Sequence, residues 1–134
     1  MAAHAIGAFE VKLDPQTPGD KARDANLDRL SIDKKFHGDL EAVSHGEMLA
    51  ASTSVEGSAG YVAIERISGN LHGRSGTFVL QHNGIMTRGA PYLTIVVVPD
   101  SGTGQLAGLA GQMTIKIEDG KHSYDFEYSF SDTP

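Results

Sequence analysis

Two neighbouring stretches, "GYVAIERISG" (60–69) and "GTFVLQHNG" (76–84), carry ionisable groups inside otherwise apolar runs. In the first, Tyr61, Ala63, Glu65 and Ile67 fall on one side of a period-two pattern, so Glu65 has apolar neighbours. In the second, Phe78, Leu80 and His82 share a side opposite Thr77, Val79 and Gln81. A carboxyl held among apolar side chains has its charged form penalised, which raises its pKa toward general acid–base use. A histidine beside it can serve as acid, base or hydrogen-bond donor near neutrality. An unpartnered polar group in such a run costs about 1–3 kcal/mol, so each needs a fixed partner or a role. Tyr61, Glu65, Gln81 and His82 are therefore the candidate ligand-binding residues. Gln81 and His82 are consecutive and point to opposite sides of a strand, so one at most faces a cavity unless a bulge intervenes. The purely structural alternative is that Glu65 pairs with a basic residue and His82 is a hydrogen-bonded core histidine.

Other chemistries are less well supported. His45 and Glu47 alternate onto one face beside Glu41, Val43 and Leu49, and a third metal ligand could come from His37, His72 or His122. There is no His-x-His and no His-Glu-x-x-His, so no metal is expected and a wet outer face is the simpler reading. Ser44 and His45 point to opposite faces, and no Gly-x-Ser-x-Gly elbow exists for a nucleophile. Arg66, Arg74 and Arg88 read as turn-stabilising or solvated, with an anionic ligand group at a barrel mouth as the alternative. Gly102-x-Gly104-x-x-Ala107 follows the apolar run "YLTIVVV" and fits a relaxed dinucleotide fingerprint. That fingerprint needs a helix whose amides receive the pyrophosphate. Gly108 and Gly111 stand where the helix would be, and no Gly-Lys-Ser/Thr ending is present. The glycines are better read as a tight hairpin at 99–104 and a bulge or bend near 108–111. No cofactor is expected.

The elements that position these residues are strands. Sixteen glycines are scattered along 134 residues, and each would cost a helix interior roughly 1 kcal/mol relative to alanine. Between them, Phe9, Val11 and Leu13 oppose Glu10 and Lys12, while Leu30, Ile32 and Phe36 oppose Arg29, Ser31, Asp33 and Lys35. Met113, Ile115 and Ile117 alternate in the same way. Tyr124, Phe126 and Tyr128 do so too, and read as core or as an oligomer patch. Strands are expected at 4–13, 27–37, 40–51, 59–70, 76–86, 91–98, 105–117 and 121–130. With short connections such as "HGD" and "EDGK", they suit an eight-stranded antiparallel up-and-down barrel, whose closure removes exposed edges; a sandwich is the alternative. One connection is long: "DPQTPGDKARDAN" (14–26), a solvated loop or a lid over the mouth.

Composition narrows the partners. Lys and Arg number 11 against 17 Asp and Glu, a net charge of -6, which argues against nucleic acid and anionic membranes. The chain has no cysteine, removing disulfides and thiolate chemistry together. The start, "MAAHAIGAFEVKL", lacks the pattern of a secretion signal, so one cytoplasmic domain over 1–134 is the expectation.

The segments "FHGDLEAVSHGEMLAA" (36–51), "GSAGYVAIERISGNLHGRSGTFVLQHNGIMTRGA" (57–90), "VVPDSGTGQLAGLAGQMTI" (97–115) and "DGKHSYDFEY" (119–128) carry a resemblance. The chain resembles an uncharacterised bacterial family of domains of unknown function with an allene-oxide-cyclase-like barrel. "GTGQLAGLAG" is similar to the glycine turn of the wider allene oxide cyclase and dirigent group. The resemblance implies an eight-stranded barrel with an apolar interior that steers a hydrophobic ligand, and it implies no particular reaction. Two functions follow as expectations: a barrel that binds a small apolar or amphipathic molecule, or a cofactor-free isomerase or cyclase using the same cavity. The scarcity of bulky residues in "GDLEAVSHGEM" and "GSAGYVA" argues for vacant space over a barrel filled by its own side chains. A homo-oligomer, dimer or trimer, stays open because both faces of 59–70 and 76–86 are rather apolar.

Overall fold

The computed structural model describes residues 2–131. Eight antiparallel strands follow one another around a closed barrel in chain order. They are β1 (Ala3–Gln16), β2 (Asp28–Gly38), β3 (Leu40–Ser52), β4 (Ala59–Leu71), β5 (Arg74–Thr87), β6 (Ala90–Val97), β7 (Leu109–Glu118) and β8 (Lys121–Phe130), and β1 closes onto β8. The alternation that marks these strands in the sequence is the alternation between lumen and outer wall. Phe9 on β1 faces Phe36 on β2 and Met113 on β7 faces Phe126 on β8, all buried inside.

Two expected strand boundaries shift furthest, and the long connection between β1 and β2 is not all loop. β1 continues through Pro15 to Gln16, because Asp14, Pro15 and Gln16 stay in register with Ser31, Leu30 and Arg29. The rest of the expected long loop contains a short helix, α1 (Asp20–Asp24), none of whose residues is buried. β7 begins at Leu109 rather than 105, because Gly104–Leu106 form a 3-10 turn.

The lumen divides into two halves. At one end Phe36, Phe78, Phe126, Leu40, Leu71 and Leu106 are buried almost completely. Phe78 stacks on Phe126 with ring centres 5.6 Å apart, and the Tyr124 hydroxyl accepts from the Leu40 amide at 2.9 Å and donates to the His37 carbonyl at 2.8 Å. At the other end, here called the mouth, the positions that point inward are not covered. Leu13, Met86, Leu93 and Ile117 share the lumen parity of their strands yet are between 37% and 62% exposed. Apolar residues also lie exposed on the outer wall of β4 to β6: Val62, Ile64, Ile85, Tyr92 and Val96.

The glycine motif belongs to the packed end. Residues 98–108 run beside β5 where β6 has left it, and they supply the missing edge partners. The Thr103 amide donates to the Thr77 carbonyl at 2.8 Å, Ser101 Oγ accepts from the Val79 amide at 3.0 Å, and Gln105 Oε1 accepts from the Ser75 amide at 2.8 Å. Leu106, fully buried, plugs the barrel. The expected tight hairpin at 99–104 is thus a longer connector, and the helix a dinucleotide loop requires does not follow it. β6 and β7 themselves meet at one register pair, Val96 with Gln112, which makes this the weakest seam of the wall.

Candidate functional site

Between the packed half and the mouth, four adjacent strands each send one polar side chain into the lumen. Lys34 on β2 lies opposite Ser44 on β3, Gly46 on β3 lies opposite Glu65 on β4, and Ala63 on β4 lies opposite His82 on β5. The four polar groups therefore form a diagonal row across the sheet, within the reach that diagonal neighbours have on a twisted wall. Glu65 is at its centre. Its Oε1 accepts from Ser44 Oγ at 2.6 Å, and its Oε2 accepts from Lys34 Nζ at 2.7 Å and from His82 Nε2 at 2.5 Å. All four side chains are buried. Space for the carboxylate comes from Gly46, where an added Cβ would lie 2.6 Å from Glu65 Cα and 2.1 Å from the Ile64 carbonyl oxygen. The Lys34 ammonium also faces the rings of Phe9 and Phe36, 5.2 and 5.8 Å from their centres.

The electrostatics reverse one expectation. Burial alone would push the Glu65 carboxyl up, as the sequence implies. The hydrogen bond from His82, the charges of Lys34 and His82 and the Lys34 hydrogen bond together outweigh burial and hold its pKa down at about 2. Glu65 is thus a fixed carboxylate and not a proton donor near neutrality. A carboxylate only accepts, so His82 Nε2 carries a proton and Glu65 sets the orientation of the imidazole.

Above this row lies a cavity of about 280 Å³, open at the mouth and bounded chiefly by Met48, Ala50, Tyr61, Met86, Pro91 and Leu93. It occupies the region where small residues are concentrated in β3 and β4. Tyr61 forms part of its floor. The ring lies across Gly84, where an added Cβ would be 2.2 Å from it, and its centre is 6.4 Å from that of His82. Burial, with the Glu65 carboxylate nearby, pushes the Tyr61 hydroxyl up from its ordinary value.

Of the four candidates, the structure brings Tyr61, Glu65 and His82 together inside the barrel. Gln81 points the other way, to an outer groove beside Leu49, Val62 and Ile64. No bulge intervenes between Gln81 and His82, which pair in sequence with Val96 and Ile95. Lys34 and Ser44 were not among the candidates. The signal for Lys34 is positional: it occupies the lumen-facing gap between Ile32 and Phe36 in "SIDKKFHG". Ser44 likewise continues the buried series Leu40, Ala42.

His45 and Glu47 lie on the outer wall, as a wet face requires. His45 Nδ1 is 2.6 Å from Asp33, and Glu47 takes a two-pronged contact from Arg29 at 2.6 and 2.9 Å. His37 lies between Glu10 and Glu41, His72 contacts Tyr128, and the His122 ring packs on Phe9. Among the described residues no group of three or more such side chains is arranged to hold a metal ion. No helix among them is long and apolar enough to cross a membrane.

Comparison with known proteins extends this picture across the whole barrel. A crystal structure of a protein of unknown function from the DUF3224 family of Shewanella oneidensis MR-1 is similar at 51% identity, with a TM-score of 0.93, over 99% of this chain and 100% of that one. No curated protein matches the chain. The family model described as "Protein of unknown function (DUF3224)" matches residues 5–128, from the first buried residue of β1 to the last buried aromatic of β8. The chain belongs to the DUF3224 family.

Proposed function

We propose that the barrel binds a small apolar or amphipathic molecule through its mouth, with Tyr61 and His82 presenting the polar contacts and Glu65 orienting His82. The observation that carries this reading is the apolar cavity of about 280 Å³ lying next to the buried row of Lys34, Ser44, Glu65 and His82. Small-molecule pockets run to about 300–1,000 Å³ with a few placed polar groups, so this one suits a compact ligand. The resemblance to allene-oxide-cyclase-like barrels, in whose relatives an apolar interior steers a hydrophobic ligand, supports the same reading. Gln81, on the outer wall, takes no part.

A second reading, a cofactor-free isomerase or cyclase, draws on one specific feature. A histidine held through one nitrogen by a carboxylate is an arrangement suited to moving protons with the other. Chemical conversion of a bound compound separates the two readings, since a binding module returns its ligand unchanged.

Thermal unfolding with propylbenzene tests the binding reading. A ligand at one hundred times its Kd stabilises by about 2.7 kcal/mol, which raises Tm by several degrees. Ala50→Leu fills part of the cavity and cancels the rise. No rise in the parent protein, or an equal rise in Ala50→Leu, contradicts the reading.

A further inference from the structure

We infer that the outer wall of β4 to β6 is the contact face of a twofold dimer of this chain. The inference uses the outside of the barrel and does not rest on the reading of the cavity. Nine outward positions form a grid on these strands. Gly60, Ile85 and Tyr92 lie side by side in one row, Val62, Asn83 and Thr94 in the next, and Ile64, Gln81 and Val96 in the third. None of the nine is charged. Val62, Ile64, Ile85 and Tyr92 are between 50% and 62% exposed, so burying them against a partner removes apolar surface from water. The other five strands each take part in an ion pair on their outer faces. His4–Asp125 joins β1 and β8, Arg29–Glu47 joins β2 and β3, and Lys116–Glu118 lies on β7.

Charge selects the occupant. The chain carries a net charge of -6, so two copies repel over most of their surface and least where the wall is uncharged. A partner recognised by its charge requires the opposite charge on this face, and the grid has none. Across a twofold axis a patch meets its own kind. A carboxylate or an ammonium placed there opposes itself, whereas a side-chain amide both donates and accepts and can pair with its own copy. Gln81 and Asn83 are such amides, and neither side chain makes a hydrogen bond to a described residue.

The size of the wall suits a reversible contact. Three strands about 4.8 Å apart and three side-chain repeats of about 6.7 Å outline roughly 300 Å². Leu49 on β3, Thr87 on β5 and Gln112 on β7 border the grid. They widen the face toward about 600 Å² per copy, the lower end for a specific interface. An apolar centre with an uncharged polar margin is the pattern of an interface core and its rim. Tyr92 supplies an exposed aromatic anchor at one corner.

Sedimentation equilibrium of the full chain tests this. The mass is expected to rise from one chain to two, with a Kd in the micromolar range. Ile64→Lys, which lies outside the cavity lining, is expected to raise that Kd by about tenfold or more. Val43→Lys, at an exposed apolar residue of β3 beyond the grid, leaves it unchanged. In NMR spectra of the parent protein, the side-chain amides of Gln81 and Asn83 are expected to shift with protein concentration while those of Gln16 and Gln105 stay fixed. Should Ile64→Lys not fold, the amide spectrum of the parent protein decides alone. A single-chain mass up to millimolar concentration overturns the inference. So does association that leaves the Gln81 and Asn83 amides unmoved, that Ile64→Lys does not weaken, or that continues beyond two chains.

Discussion

Glu65 ties β2, β3 and β5 to its own strand β4 through one side chain, and its removal should be felt in stability first. In Glu65→Gln the Lys34 ammonium stays buried without its counter-charge, and breaking such a pair from one side costs about 3–5 kcal/mol. The same residue shapes the acid limb of the stability curve. Its folded pKa, about 2, lies below the ordinary value of 4.5, so its contribution is present above pH 4.5 and lost as pH falls toward 2. The gap corresponds to about 3 kcal/mol. Urea unfolding between pH 7 and pH 2 should show the parent losing that increment and Glu65→Gln, already weakened at pH 7, losing none of it. A steep acid limb retained by the variant would assign the effect to other carboxylates. The sequence made Glu65 and His82 conspicuous because each interrupts an apolar series on β4 or β5. Lys34 was hidden because the polar run "DKK" masks the fact that its middle member points inward. The raised carboxyl expected for Glu65 failed for that reason: the partner that lowers it lies 31 residues away in the chain.

At the scale of elements, strand alternation was legible wherever one face meets the lumen and the other water, which is why seven of the eight strand positions needed only small changes at their ends. The exception is the start of β7. "GTGQLAG" alternates no more clearly than its neighbours, and its 3-10 turn is set by contacts with Thr77, Val79 and Ser75 on β5, which local sequence does not contain. The helix α1 was missed for a related reason, since none of its residues is buried and no amphipathic stripe marks it. The connector's part in closing the packed end makes a contrast that can be measured. Leu106→Ala should cost about 2–5 kcal/mol, as for a buried leucine in a filled core. Leu93→Ala, on an uncovered lumen position of β6, should cost well under half as much. Equal costs in denaturant titrations would mean that the mouth is as tightly filled as the packed end.

For the whole molecule, closure of the barrel could be argued from strand number, short turns and the need to remove edges, yet nothing in the pattern says which end is packed. That asymmetry arises from where the large aromatics and the small residues meet in three dimensions. Phe36, Phe78 and Phe126 converge at one end, while Ala50, Ala59 and Gly84 converge at the other. The central claim, an apolar cavity at the mouth that receives a small molecule, can be read from the methionine methyl groups. Met48 and Met86 line the cavity and Met113 is buried in the core. In a methyl-labelled sample titrated with propylbenzene, the account predicts saturable shifts at Met48 and Met86 and an unmoved Met113. Shifts at Met113 alone, or none at Met48 and Met86 up to the solubility limit of the probe, would contradict it.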